Sequence, residues 1–487
     1  MSSTLPYREP SVPELLGLSS FIYLLNVVRD LFNLLYAGVV GELVLGIVYG
    51  TPLLGILSLE WEQTMSNLGY IGLVIILFEG GLSSNLDQLR RTIGLALLVA
   101  LTGILCPIGI SLIYLKFAYG YSSIEAFAAG ASLSSTSMGT TYAVLSAANL
   151  SQSKVGVVLV SAALIDDIVG LVIAGIISLL ASSENSVNLG WTIARPLVAS
   201  VGVITLPVVI TRYLLGPIYL KLSQHIRPQH LRCLNLFIII SLLSAMTTIA
   251  NYAGTSSLLG GFVAGMMIGY LDAHNPVETA METDTLKSVF NFYISPLQKT
   301  LLEPLFFASI GFAIPISELF TATVAWRGIA FGLISIITKS VTGLWILLWP
   351  TSAEAALTPD VLQLETNMSS CQTLDNPAQP AQPANSLPQS RADRKSNCTR
   401  ICRVPDEHSV LVSLLLGMSM IARGEIGLLI SNIAYTQNGP LQQESFLVCI
   451  WAILICTVIG PIGVGILARR RHPHIMAGHW GKLAAAQ

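Results

Sequence analysis

VGVVLVSAALIDDIVGLVIAGIISLL, Val155 to Leu180, is an apolar run long enough to cross a bilayer, with two adjacent carboxylates, Asp166 and Asp167, at its middle. A charge at the centre of a spanning helix costs about 2.5–3.5 kcal/mol on insertion scales. The pair therefore requires a partner group, a bound cation or a proton. Successive helix residues point about 100° apart, so one aspartate can face a neighbouring helix while the other faces a cavity. The plain alternative is a polar pair buried between helices, but ionisable groups inside a membrane are functional by default.

The rest of the chain fits a membrane solvent. Hydrophobic residues make up 53% of the 487 and charged residues 11%, and the mean hydropathy is +0.69. This excludes a soluble globular protein and predicts an all-α polytopic membrane protein. The net charge of −2 comes with no basic patch, so no nucleic acid partner is expected. Neither a cofactor nor an enzymatic activity is expected. The seven cysteines make no disulfide framework, and Cys398 and Cys402 near His408 lack the second ligand pair of a zinc site. The start MSSTLPYREPSVPELL has no basic region ahead of its apolar stretch, so the first span is expected to be retained.

Apolar windows of about twenty residues predict about thirteen spans: 11–28, 34–57, 65–82, 92–115, 122–147, 155–181, 191–215, 232–251, 255–271, 297–316, 326–349, 408–434 and 444–468. They divide the chain into an eleven-span portion at 1–349, a disordered cytoplasmic insertion at 350–406, two last spans within 407–469 and a short tail at 470–487. The insertion is rich in Pro, Ser, Gln and Asn and cannot bury enough apolar surface to order itself. An N-terminus outside or in a lumen, with a cytoplasmic C-terminus, puts Arg90, Arg91, Lys154, Arg227, Arg232, Lys299 and Arg469 to Arg471 on the cytoplasmic side. It leaves only Arg8, Lys116, Arg195 and Arg327 outside, the asymmetry that orients membrane proteins. In that topology the sequons at Asn367 and Asn397 are cytosolic and unused.

An internal echo runs through the spans. Gly81 to Leu89 and Gly311 to Leu319 keep the same offset, and Gly46/Gly50 in the second span match Gly265/Gly269 in the ninth. Each pair lies seven spans apart. An odd offset means that the copies enter the membrane from opposite sides, the inverted repeat of secondary transporters. The same offset pairs SLSSTSMGTT (Ser132 to Thr141) with ARGEIG (Ala422 to Gly427). Hydroxyl runs and glycine-flanked charges sit poorly in unbroken helices, so both spans are expected to be discontinuous, leaving backbone groups free for an ion.

Lys339 lies near the middle of the eleventh span, too deep to snorkel into water. Asp166 is its expected partner, with Asp167 left as the cation- and proton-binding carboxylate. Arg423, Glu425 and Glu303 form a second buried set, in which either glutamate is expected to pair with the arginine; Glu42 and Glu79, near span ends, are expected to be partly wetted. All seven histidines fall in loops or at span ends, so titration inside the membrane rests on carboxylates and Lys339. Desolvation raises and a cation lowers a carboxyl pKa, so a proton and a metal cation compete for the same oxygens.

ALIDDIVGL, STSMGTT, LLGGFVAGMMIG, LEPLFFASIGFAIPISEL and ARGEIG, in this order, resemble the monovalent cation:proton antiporter-2 group of the sodium/proton exchanger superfamily, most closely its fungal members. The resemblance covers all but residues 350–406. It implies a thirteen-helix fold with crossed discontinuous helices, a dimerisation domain, a moving six-helix core and a homodimer. Its paired aspartates fall on Asp166 and Asp167, its hydroxyls on Thr136 and the neighbouring Ser137, its lysine on Lys339 and its glutamate on Glu425. Na+ or K+ bound at Asp167 and Asp166, and protons, are the implied partners, with exchange that moves net charge. A cation channel, a membrane-embedded aspartyl protease and a proton-coupled carrier of another solute are the alternatives. The plasma membrane and the Golgi, endosomal or vacuolar membranes all remain open as its home.

Overall fold

In the computed structural model the described residues are 9, 11–34, 38–84, 86–137, 145, 150, 153–182, 189–226, 228–274, 285–349, 407–435, 439–477 and 480. The insertion at 350–406 and both sequons lie outside them. The described elements are helical. In chain order they are α1 (Val12–Asn33), α2 (Gly38–Tyr49), α3 (Leu59–Ser83), α4 (Leu86–Tyr119), α5 (Ser123–Ser132), α6 (Lys154–Ser182) and α7 (Leu189–Ile210). Then follow α8 (Gly216–His225), α9 (Pro228–Ala253), α10 (Ser257–His274), α11 (Leu286–Tyr293), α12 (Glu303–Phe312), α13 (Ala322–Ser340), α14 (Glu407–Ser419), α15 (Glu425–Tyr435) and α16 (Gln443–Ala477).

Eight helical stretches among the described residues are long and apolar enough to cross a membrane. They correspond to eight of the thirteen expected spans. The other five, the second, fifth, ninth, tenth and twelfth, are short, glycine-rich or interrupted. A π turn at Gln298–Leu302 widens the tenth just ahead of Pro304, and α14 and α15 are two halves of the twelfth. The fifth is α5 followed by an unwound segment, and most of its second half lies outside the described residues.

Local chemistry explains α5. Ser122 and Glu125 form a capping box at its start, the hydroxyl accepting from Glu125 N at 3.2 Å while the carboxylate accepts from Ser122 N at 3.3 Å. At its end Ser132 and Ser134 donate to the carbonyls of Ala129 and Ala131 at 2.8 and 2.7 Å. Hydroxyls that bond their own backbone compete with helix continuation. Gly120, at a φ of 74°, makes the left-handed turn that ends α4 and feeds this cap.

Packing sorts the helices into two groups. In one, α3 packs on α10 and α12, α2 on α12 and α1, and α9 on α10; in the other, α4 packs on α5 and α6, α13 and α14 on α16, and α15 on α5 and α6. The first is a scaffold and the second holds the aspartates. Glycines make the scaffold's crossings possible. A Cβ on Gly46 of α2 would strike the Ala308 carbonyl of α12, and one on Gly311 of α12 would strike the Leu43 carbonyl of α2. Likewise a Cβ on Gly265 of α10 meets Phe78 O of α3, and one on Gly81 of α3 meets Phe262 O of α10. Each glycine touches the carbonyl three residues before its partner glycine. The two crossings are therefore images of each other under the seven-span offset, and the echo in the sequence is a repeat in the fold.

Gly81→Ala should lower the detergent unfolding midpoint, since overpacking against backbone costs about 1–3 kcal/mol. Gly109→Ala, where a Cβ meets nothing within 4 Å, should leave that midpoint in place; equal behaviour of the two variants would remove the close-approach argument.

Candidate functional site: a buried carboxylate centre at two helix breaks

Asp166 and Asp167 project from the middle of α6 at 0% and 6% exposure. Around them the two broken spans cross: α5 unwinds after Ser132, and residues 420–424 separate α14 from α15. The breaks are joined backbone to backbone, Ser137 N donating to Ala422 O at 2.9 Å. Glycine permits the approach, because a Cβ on Gly424 would meet Ser137 Oγ at 2.6 Å. Helix ends that lack intrahelical partners thus meet at the depth of the aspartates.

Lys339 enters this crossing from α13. Its Nζ lies 3.1 Å from Asp166 Oδ2 and donates to Thr136 Oγ1 at 3.0 Å and to Ser134 O. Thr136 Oγ1 in turn donates to Asp166 Oδ2 at 2.6 Å. One carboxylate oxygen therefore receives an ammonium and a hydroxyl, while Asp166 Oδ1 has no hydrogen-bond partner among the described residues. Gly103 on α4 makes room for the ammonium: a Cβ there would stand 3.2 Å from Nζ. Directly after Lys339 the helix tightens into a 3-10 turn, Val341–Gly343, where Thr342 Oγ1 donates to Lys339 O at 2.6 Å. Such mid-helix turns often mark hinges.

The second buried set is arranged otherwise than expected. Arg423 is fully buried and donates from Nη1 to Ser135 O at 2.6 Å and from Nη2 to Ser335 Oγ at 3.2 Å, with Cys456 alongside. Among the described residues its hydrogen-bond partners are the carbonyl freed by the α5 break and a hydroxyl of α13, not Glu303. Glu303 sits in the scaffold beside Glu42, and the Glu425 side chain lies outside the described residues. Thr457 of α16 donates to Arg423 O at 3.1 Å and fixes the other break. Glu42 is also corrected: it is 1% exposed rather than wetted, because α1 and α12 cover it. Ser335, Thr457 and Gly103 gave no signal in the sequence, since their role depends on helices that come from distant parts of the chain.

The centre therefore holds two acids, Asp166 and Asp167, against two bases, Lys339 and Arg423. With all four ionised it is neutral, so a cation or a proton added at the acids unbalances it unless another charge leaves. A family model described as sodium/hydrogen exchanger, transmembrane, matches residues 17–470. The chain belongs to this family. It is 29% identical over 288 residues to the high-affinity Na+/H+ antiporter NhaS3 of Synechocystis, covering 58% of each chain. It is 25% identical over 308 residues to the Na+/H+-K+ antiporter GerN of Bacillus cereus, covering 62% of this chain and 71% of that one. In fold, the chain aligns with the sodium proton antiporter MjNhaP1 of Methanocaldococcus jannaschii at a TM-score of 0.60, over 94% of this chain and 99% of that one, with 16% identity.

Lys339→Met leaves Asp166 buried without its counter-charge and should cost about 3–5 kcal/mol of stability. Adding Asp166→Asn to it should return part of that loss in a double-mutant cycle of unfolding midpoints. Strict additivity of the two changes would mean that the pair is not coupled.

Proposed function

We propose that this exchanger moves a monovalent cation, Na+ or K+, against protons by alternating access, with net charge moved in each cycle. The observation that carries the reading is a carboxylate pair of which one member, Asp166, is committed to Lys339 and Thr136. Asp167, its neighbour on α6, is assigned the travelling ion. The carbonyls and hydroxyls of the two breaks, those of Thr136 and Ser137 among them, complete the coordination. When a cation enters at Asp167, Asp167 gives up its proton and Asp166 loosens from Lys339, which releases its own; when the cation leaves, one proton returns to Asp167 and one to Lys339, and the pair with Asp166 re-forms. Because proton and cation share oxygens, apparent cation affinity falls as the pH drops.

The double aspartate with a lysine on α13 supports placement in the antiporter-2 group, although the relatives named above are bacterial. Thirteen spans, an outside or lumenal N-terminus and a cytoplasmic C-terminus belong to the same proposal, supported by the distribution of Lys and Arg. So does a homodimer built on the scaffold: α1 buries only Gly17, Phe21 and Leu25 in its own chain and leaves Leu16, Tyr23 and Leu31 for lipid or a second copy.

The test is cation-driven proton flux in proteoliposomes at fixed voltage, wild type beside Asp167→Asn, with Na+ and K+ supplied separately. The wild type should exchange one or both cations, and the variant should lose the flux by more than about tenfold. Flux that persists in the variant, or cation movement without protons, contradicts the proposal.

A further inference from the structure

After α12 the chain leaves the scaffold for the group of helices around the aspartates, and residues 313–321 make that crossing, at the outer end in the proposed topology. The near end is fixed in the scaffold. Gly311 of α12 lies against the Leu43 carbonyl of α2, and Ile314 is fully buried. The far end is fixed to the other group. Trp451 of α16 donates from Nε1 to Leu319 O at 2.8 Å, and its ring meets the edge of Phe320 at a centroid distance of 5.6 Å and an interplanar angle of 89°. Gly328 of α13 makes room for this side chain, because a Cβ there would strike Trp451 Cβ.

Between the two anchors the chain is wound up. Ile316–Leu319 is a single helical turn entered from Pro315, whose carbonyl accepts from Glu318 N and Leu319 N at 3.1 Å each. Glu318 O in turn accepts from Thr321 N at 3.1 Å and from Thr321 Oγ1 at 2.8 Å. Ser317 and Glu318 are exposed, and Leu319 is the buried residue of the turn. An isolated turn is held by few bonds for the dihedrals it fixes, so it opens at small cost. Helical residues rise about 1.5 Å each and extended ones about 3.3–3.6 Å, so unwinding this turn releases about 8 Å of chain. In the copy of this crossing under the seven-span offset, α3 ends at Ser83 and α4 starts at Leu86, which leaves no comparable length to release.

We propose that residues 313–321 are an extensible tether: Trp451 holds the far end on α16, and the turn Ile316–Leu319 unwinds and rewinds as the helices around the aspartates shift against the scaffold. The inference rests on the alternating-access reading, which requires such a shift. The anchor sets the length. With Leu319 held, residues 313–318 span at most about 20 Å; with it released, residues 313–321 reach about 30 Å. Trp451 thereby limits the travel. Thr321 is the N-cap of α13, the helix that carries Lys339, so the same anchor keeps the start of that helix with α16 while the tether changes length.

Hydrogen-deuterium exchange of the full chain in nanodiscs, wild type beside Trp451→Phe, tests the anchor. The phenyl ring cannot donate to Leu319 O, and the amides of residues 318–321 should exchange about fivefold faster, the factor that one hydrogen bond supplies. Those of α12 and of residues 443–450 should keep their rates. Phe320→Ala, a change at a side chain 65% exposed, should give a smaller rise in the same amides and serves if Trp451→Phe does not fold. The tether is tested by ions: in the wild type the amides of residues 316–319 should differ several-fold between saturating Na+ or K+ and cation-free buffer at one pH. Equal exchange at 318–321 in variants and wild type overturns the proposal, as does a rise that spreads over α12 and α16. Ion-independent exchange at 316–319 in a protein that trades cations for protons overturns it while the antiporter reading stands. If that flux is absent but both sets of amides respond as expected, the antiporter reading falls and the tether stands.

Discussion

A carboxylate deep in a membrane protein must be given a counter-charge or a proton, and hydrogen bonds, by its surroundings, and here two of them stand side by side on α6. Much of the surrounding architecture answers that requirement. The fifth span stops at Ser132 so that Ser134 O, Ser135 O and the Thr136 hydroxyl face inward. The twelfth span breaks at residues 420–424 and brings Arg423 to the same depth, and Gly103 leaves the volume that the Lys339 ammonium fills. Four buried charges balance as two against two. Such a set is weak evidence for stability, since desolvation offsets most of the Coulomb gain. It is well suited to rearrangement, because adding or removing one charge obliges another to move.

The scaffold meets a different requirement, close approach without a supporting charge. Its two crossings rest on glycines that let backbone touch backbone, and they repeat with the same three-residue offset in both halves. Van der Waals contact of this kind is what holds helices together where lipid provides no hydrophobic drive. A glycine-laced frame beside a core with two broken helices would suit the proposed alternating access, in which one part holds still while the other carries the ion.

Much of this was legible in the sequence because it consists of exceptions within apolar runs. Asp166, Asp167 and Lys339 stand out against their neighbours, and a Ser- and Thr-rich stretch inside a span announces a break. The glycine echo was visible as spacing, but the sequence could not say that each glycine packs against the complement of its own copy. What stayed hidden depends on backbone that becomes available only after folding. Arg423 invites a search for a carboxylate, yet its guanidinium donates to Ser135 O, a carbonyl that exists as an acceptor because α5 has ended, and to Ser335 Oγ, while its Nε has no hydrogen-bond partner among the described residues. Glu42 reads as a residue near a span end, and its burial follows from how α1 and α12 close over it. The 3-10 turn after Lys339 likewise has no mark in the sequence beyond Thr342 and Gly343, residues common in unbroken spans.

The most direct test of the central claim, that a proton and a cation contend for one carboxylate, is calorimetry of Na+ binding, and then K+ binding, to the purified protein. Repeating each titration in buffers of different ionisation enthalpy counts the protons released per cation bound. The account predicts that the cation displaces protons from the wild type and that release disappears in Asp167→Asn together with binding. Cation binding that releases no protons, or release that persists undiminished without Asp167, would contradict it.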